Sequence, residues 1–251
     1  MNEIIMDVVT IVTVSHNNYH YLKFMVDQIN KSREYSFKPY EIIIMDNAST
    51  DPKTVQYLRE LEENTIITII YNQTNYGPRI NHMNHQELYH ALPDRFLMTD
   101  PDILFNPDMQ PDFYEIMCRI SEYYGAEKVG VALDISEPDL LYDIPDYFMG
   151  KSIVEWESQF WKKRLPPWEL IDGTEIPLYR AEIDTTCCLV NKRYQNSGVH
   201  IRMGGCFTAK HLPWYKKNPV LIDQDILYEM ARDQGGDSTM AQHIIEAYTK
   251  K

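Results

Sequence analysis

Phe96-Leu97-Met98-Thr99-Asp100-Pro101-Asp102-Ile103-Leu104-Phe105 is the stretch on which the reading turns. An apolar run drops into Asp-Pro-Asp and then becomes apolar again. The run has the length and composition of a buried strand, with carboxylates where that strand ends. Pro101 lacks an N–H and biases Asp100 toward extended backbone, so the ladder should stop here. Two carboxylates two residues apart resist ionising together in an apolar setting. A hard divalent cation removes the conflict, and Mg²⁺ takes one or two carboxylates along with substrate phosphates. Solvated aspartates in a polar turn are the competing reading, and Asp-x-Asp alone favours it.

The chain upstream raises the odds. Val8 to Val14 is a β-branched run of the kind buried on both faces of a parallel sheet, and it ends at Ser15-His16-Asn17-Asn18. Leu22, Met25, Val26 and Ile29 follow at helical spacing. Ile42 to Met45 is a second strand, closed by Asp46-Asn47-Ala48-Ser49-Thr50-Asp51. Pro52 fits a first helical turn capped by Asp51, with Val55, Leu58 and Leu61 facing inward. A third strand, Ile66 to Tyr71, leads into Asn75-Tyr76-Gly77-Pro78-Arg79. The segment Ile80 to Leu92 reads as a helix with Met83, Leu88 and Leu92 turned inward. This β-α-β-α-β-α-β order predicts an α/β fold, a mostly parallel sheet flanked by helices. Ligands collect outside the carboxyl ends of such strands, where Ser15, Asp46, Asn75 and Asp102 all fall.

Downstream, Phe113, Ile116, Met117 and Ile120 predict another helix, and Lys128 to Leu133 another strand. From Asp134 to Arg180 the periodicity fades into an acidic, aromatic-rich stretch. It reads as an irregular insertion, either a lid or a satellite core under a loop. Regular structure returns at Ile183 to Val190, then at Met203 to Tyr215, followed by two amphipathic C-terminal pieces. One domain over 1–251 is expected.

Composition bounds the function. The chain has 251 residues and 44% hydrophobic content, which describes a globular protein with a proper core. Lys and Arg total 24 against 37 Asp and Glu, a net charge of −13. A broad nucleic-acid face needs a basic stripe, so DNA is not an expected partner. No signal peptide is visible, and the Val8–Val14 run is too short to span a bilayer. Four cysteines without a Cys-x-x-Cys pair predict free thiols and a cytoplasmic protein rather than a zinc or redox site.

Taken in order, these features resemble an inverting glycosyltransferase of the GT-A fold, family 2. The resemblance rests on Ser15-His16-Asn17, on Met45 to Asp51, on Asn75 to Arg79 and on Asp100-Pro101-Asp102. Ile183-Asp184-Thr185-Thr186 and Phe207 to Tyr215 extend it. It implies a donor half over 1–133 that holds a nucleotide-diphosphate sugar, UDP-sugars being favoured. The rest, 134–251, would form the acceptor half and C-terminal loop and helices. It implies nucleotide contacts from Ser15 and Asp46, and a phosphate or base contact from Arg79, whose fork suits such oxygens. Asp102 would hold Mn²⁺ or Mg²⁺, with Asp100 on the ribose or the metal's water and His211 completing the metal site. Lys210 would assist with phosphate, and Trp214 and Tyr215 would either support a sugar ring or anchor their loop. Asp184 matches the catalytic base, with Glu182 as the competing carboxylate. A saccharide, lipid-linked or protein acceptor all fit, and oligomeric state stays open. Two other readings stand beside this one. A non-catalytic nucleotide- or carbohydrate-binding protein on the same scaffold is the first. A nucleotidyltransferase is the second, but Ser15-His16-Asn17-Asn18 is not the Gly-rich basic loop it would need.

Overall fold

A computed structural model describes residues 8–32, 38–81, 83, 85–220, 242–243 and 245–246. The first half alternates as expected: β1 (Val9–Ser15), α1 (Tyr19–Ser32), β2 (Tyr40–Asp46), α2 (Pro52–Leu61), β3 (Ile67–Tyr71), α3 (Gln86–Ala91) and β4 (Arg95–Met98). Then come β5 (Ile103–Phe105), α4 (Phe113–Tyr124), β6 (Lys128–Leu133), α5 (Ile153–Ser158), β7 (Arg164–Glu169), β8 (Glu175–Arg180), β9 (Cys188–Asn191) and β10 (His200–His211). They form one sheet in the order β3-β2-β1-β4-β9-β6-β10-β8-β7, with β5 paired to β10. β3, β2, β1 and β4 are parallel throughout. Only β5, β8 and β9 run against the other strands.

Burial on both faces explains the near-continuous apolar strands. Along β4, Leu97 joins the large core beneath α1, α2 and α4, while Phe96 and Met98 join a second core with Val12, Met45 and Tyr89. α2 starts where its cap predicts: Asp51 accepts from the Thr54 N–H at 2.7 Å, and Pro52 opens the helix. Its buried face uses Thr54, Tyr57, Leu58 and Leu61, and Val55 sits half-buried beside them.

Two expectations need correction. The helix read over 80–92 spans only Gln86–Ala91, and Met83 is exposed. Asn81 Oδ1 takes the Met83 N–H at 2.8 Å, a local turn that competes with helix formation. The stretch 134–180 is more regular than its sequence reads. It holds α5, begun by a Ser152/Glu155 capping box, and the β7–β8 hairpin on the sheet edge. Pro166 and Pro167 in β7 argue against a strand, but they sit where the ladder slips between Leu165 and Trp168 on an edge strand, the place proline is tolerated. Apart from 242–243 and 245–246, the two amphipathic C-terminal pieces lie outside the described residues. Among those described, no helix is long and apolar enough to cross a membrane.

Two glycine-dependent features shape the site. β10 slips register between Met203 and Thr208, with Gly205 at φ +66°, so its second half reaches β5. On β6, a Cβ at Gly130 would stand 2.5 Å from the Cys187 carbonyl oxygen, so only glycine lets the chain entering β9 cross there.

Candidate active site

The parallel register places Ser15 opposite Asp46 and Asp46 opposite Tyr71, so the strand ends form one edge. A polar lattice ties the loops above it. Asn47 donates from Nδ2 to the Gly77 carbonyl at 2.9 Å and to Asn75 Oδ1 at 3.2 Å, and it accepts from Asn72 Nδ2 at 2.8 Å. His16 Nδ1 donates to the Asn47 carbonyl at 2.7 Å. Asn17, at φ +46°, receives the Thr50 and Asp51 N–H groups on Oδ1 at 2.7 and 2.9 Å. Asp46 is buried, and its two oxygens accept from the backbone N–H and hydroxyl of Ser49. Ser15 is buried, and its hydroxyl has no hydrogen-bond partner.

Asp100, Asp102 and His211 converge beside β4. β5 pairs with the end of β10, setting His211 opposite Ile103 and its Nε2 3.3 Å from Asp102 Oδ2. The Leu212 N–H donates to the Asp102 carbonyl at 2.9 Å. Asp102 Oδ1 and His211 Nδ1 are buried without a hydrogen-bond partner. Thr185 Oγ1 donates to Asp100 Oδ2 at 2.8 Å. Burial, with Asp102 nearby, pushes Asp100 up to about 7. Burial opposes a charge on His211, but Asp102 raises its pKa above the ordinary histidine value. Among the described residues, no group of three or more His, Cys, Asp or Glu side chains is arranged as a ready metal site.

Arg79 and Asp184 meet across the sheet edge. Nε donates to Oδ1 at 2.8 Å and Nη2 to Oδ2 at 3.1 Å, with both side chains exposed. Lys210 faces Glu137 at 3.4 Å and lies over the Tyr215 ring. Trp214 and Tyr215 are buried; they donate to the Tyr147 hydroxyl at 3.2 Å and the Asp134 carbonyl at 2.6 Å. Of their two readings, anchoring of the loop is the one these contacts favour.

Residues 10–130 match the family described as Glycosyl transferase family 2. The chain has a family 2, GT-A-type glycosyltransferase fold. Among solved structures, GalNAc-T7 with UDP, GalNAc and Mn²⁺ shares that fold at TM-score 0.51 and 13% identity, over 92% of this chain and 48% of that one. S. aureus TarS 1-349 with UDP gives TM-score 0.44 and 13% identity over 92% of this chain and 65% of that one. The mannosyltransferase PcManGT from Pyrobaculum calidifontis, in complex with GDP-Man and Mn²⁺, gives 0.38 and 21% over 52% and 36%. The chain thus spans less than two thirds of the length of each. No curated protein sequence matches it.

Several residues that bind these loops and strands together carry little signal in the sequence. Asn17 and Asn47 read as ordinary loop asparagines, although the polar turns holding them, just past strand ends, were the available signal. Thr185 carried none beyond its place next to Asp184. Lys128, Glu157, His200 and Arg202 lie within helices or strands, and nothing in their local sequence marks them.

Proposed function

We propose that the protein is a metal-dependent inverting glycosyltransferase, moving a sugar from a nucleotide-diphosphate sugar to an acceptor hydroxyl. The observation that carries this is the meeting of Asp100, Asp102 and His211 at a strand end of a family 2 fold. Two partly buried carboxylates and an imidazole, with Asp102 Oδ1 and His211 Nδ1 unpartnered among the described residues, are a donor set short of positive charge. That set suits Mn²⁺ or Mg²⁺, with Asp102 and His211 as ligands and Asp100 beside them. Once bound, the cation stabilises negative charge on the departing diphosphate.

The chain's own residues divide the remaining work. Ser15 and Asp46 are the nucleotide contacts, and Arg79 takes an anionic oxygen of the donor. We favour UDP-sugars, with residues 1–133 as the donor half and 134–251 as the acceptor half. Asp184 is the base. It takes the acceptor proton as the acceptor oxygen bonds to the anomeric carbon and the bond to the diphosphate breaks. Arg79 occupies one lone pair on each Asp184 oxygen, so the acceptor hydroxyl either approaches a remaining lone pair or takes the place of the guanidinium. A saccharide, lipid-linked or protein acceptor fits equally. Four free thiols fit a reducing compartment such as the cytoplasm.

The test is a thermal-shift screen of UDP- and GDP-sugars with and without Mn²⁺. Donor binding to the folded state raises the melting temperature by linkage. A rise that needs both nucleotide and Mn²⁺ is expected; no rise with any donor contradicts the reading.

A further inference from the structure

Among the described residues, the segment that carries Asp184 has no strand partner over 182–184, yet its three carbonyls and the Ile183 N–H are held by side chains of β6 and β10. Lys128 Nζ donates to the Ile183 carbonyl at 3.0 Å and to the Asp184 carbonyl at 2.8 Å. Arg202 Nε donates to the Glu182 carbonyl at 2.8 Å. Three consecutive carbonyls thus rest on two cations. The Ile183 N–H donates to His200 Nδ1 at 3.3 Å. Burial, with Lys128 and Arg202 nearby, pushes His200 down to about 4, so its ring is neutral and free to accept.

Strand register brings these three side chains together. Lys128 pairs with His200 and Gly130 with Arg202 on neighbouring parallel strands, so all four share one face. Gly130, without a Cβ, leaves the space through which the segment passes into β9. Arg202 is itself held. Its Nη1 meets Glu157 Oε1 of α5 at 2.5 Å, with both side chains almost wholly buried, and its guanidinium lies 4.1 Å from the Phe160 ring centroid. A buried pair of this kind is a weak source of stability, because desolvation opposes both charges. The Glu182 carbonyl, which the same guanidinium holds, gives the pair a second role.

We propose that Lys128, His200 and Arg202 are positioning residues that set the Asp184 carboxylate, with Glu157 fixing Arg202 and so tying the acceptor-side helix α5 to the base. This rests on the assignment of Asp184 as the base. Displacing a reacting group by about 1 Å can cost on the order of 100-fold in rate. The cradle touches backbone only, so its loss should lower kcat and leave donor binding in place.

The experiment compares full-length Lys128→Met, Lys128→Arg, Glu157→Gln and Asp184→Asn, and the Lys128→Met/Asp184→Asn double variant. One arm follows nucleoside diphosphate release from a panel of UDP- and GDP-sugars with Mn²⁺. Lys128→Met should lose roughly 30- to 100-fold in kcat with donor KM within about twofold, and Lys128→Arg should recover most of the loss. On the Asp184→Asn background Lys128→Met should cost nothing further, because the group it positions is already gone. The second arm, amide hydrogen exchange over 182–188, needs no substrate. Lys128→Met and Glu157→Gln should each exchange there at least about tenfold faster than the parent. Unchanged exchange in both variants overturns the proposal. So does Lys128→Met turnover at the parent rate while Asp184→Asn is inactive. An Asp184→Asn variant at the parent rate instead overturns the base assignment, and the positioning role with it.

Discussion

Arg79 grips Asp184 through both carboxylate oxygens, at 2.8 and 3.1 Å, although the two residues stand 105 positions apart in the chain. The side chains are 61% and 62% exposed, so the pair contributes about 0–1 kcal/mol at most. It is weak enough to part during turnover. Arg79→Gln should therefore change folding stability by less than about 0.5 kcal/mol, read by chemical denaturation. Donor affinity should fall by roughly tenfold, because a charged hydrogen bond to the donor is lost. Unchanged affinity would remove Arg79 from the donor site.

Asp184→Asn keeps the shape of the side chain and removes the proposed base. Its kcat should drop by about 10²- to 10⁴-fold, with nucleotide affinity within about threefold of the parent. Paired turnover and calorimetric measurements separate the two quantities.

Stability should fall as pH rises from about 6.5 to 8; below that, His200, which burial pushes down to about 4, works in the opposite direction. Burial pushes Asp100 and Glu157 up to about 7 each, and Asp102 raises His211. In each case the folded chain holds its proton more tightly than the unfolded chain. The resulting stabilisation is complete below the unfolded pKa values and is lost as pH climbs through the folded ones. Melting temperatures across that range should decline, and Glu157→Gln should flatten the slope. A melting temperature that climbs steadily from about pH 6.5 to 8 would contradict the tighter proton binding of Asp100, Glu157 and His211 in the folded chain.

Asn47→Ala strips three side-chain hydrogen bonds from a buried position between the β1, β2 and β3 ends. It should cost about 1–3 kcal/mol and loosen the 72–77 loop, as read by denaturation and by proteolysis there. Gly130→Ala should cost a similar amount, about 1–3 kcal/mol, because its Cβ would press on the Cys187 carbonyl.

The parallel half of the fold was legible because strands buried on both faces carry unbroken β-branched runs, and because Asp51 and Pro52 announce a helix start. Ser15, Asp46 and Asp102 were legible as residues of one sheet edge because polar residues recur where those runs stop. The hairpin of β7 and β8 was not. Its prolines forbid an interior strand, and only the tertiary position of β7 at an edge reconciles them. The turn at Asn81 hid the true start of α3, since one side-chain hydrogen bond outweighed an apolar pattern. The pairing of Arg79 with Asp184, and the cradle under residues 182–184, depend on strand register across the sheet. Local spacing carries no trace of that register.

A divalent cation held by Asp102 and His211, as proposed, would make donor binding possible. Isothermal titration of UDP into parent protein and Asp102→Ala, each with Mn²⁺ and with chelator, tests it most directly. Tight binding that needs Mn²⁺ in the parent, and is weakened at least about 100-fold in Asp102→Ala, is the predicted result. Equal Mn²⁺-dependent affinity in the two proteins would contradict it.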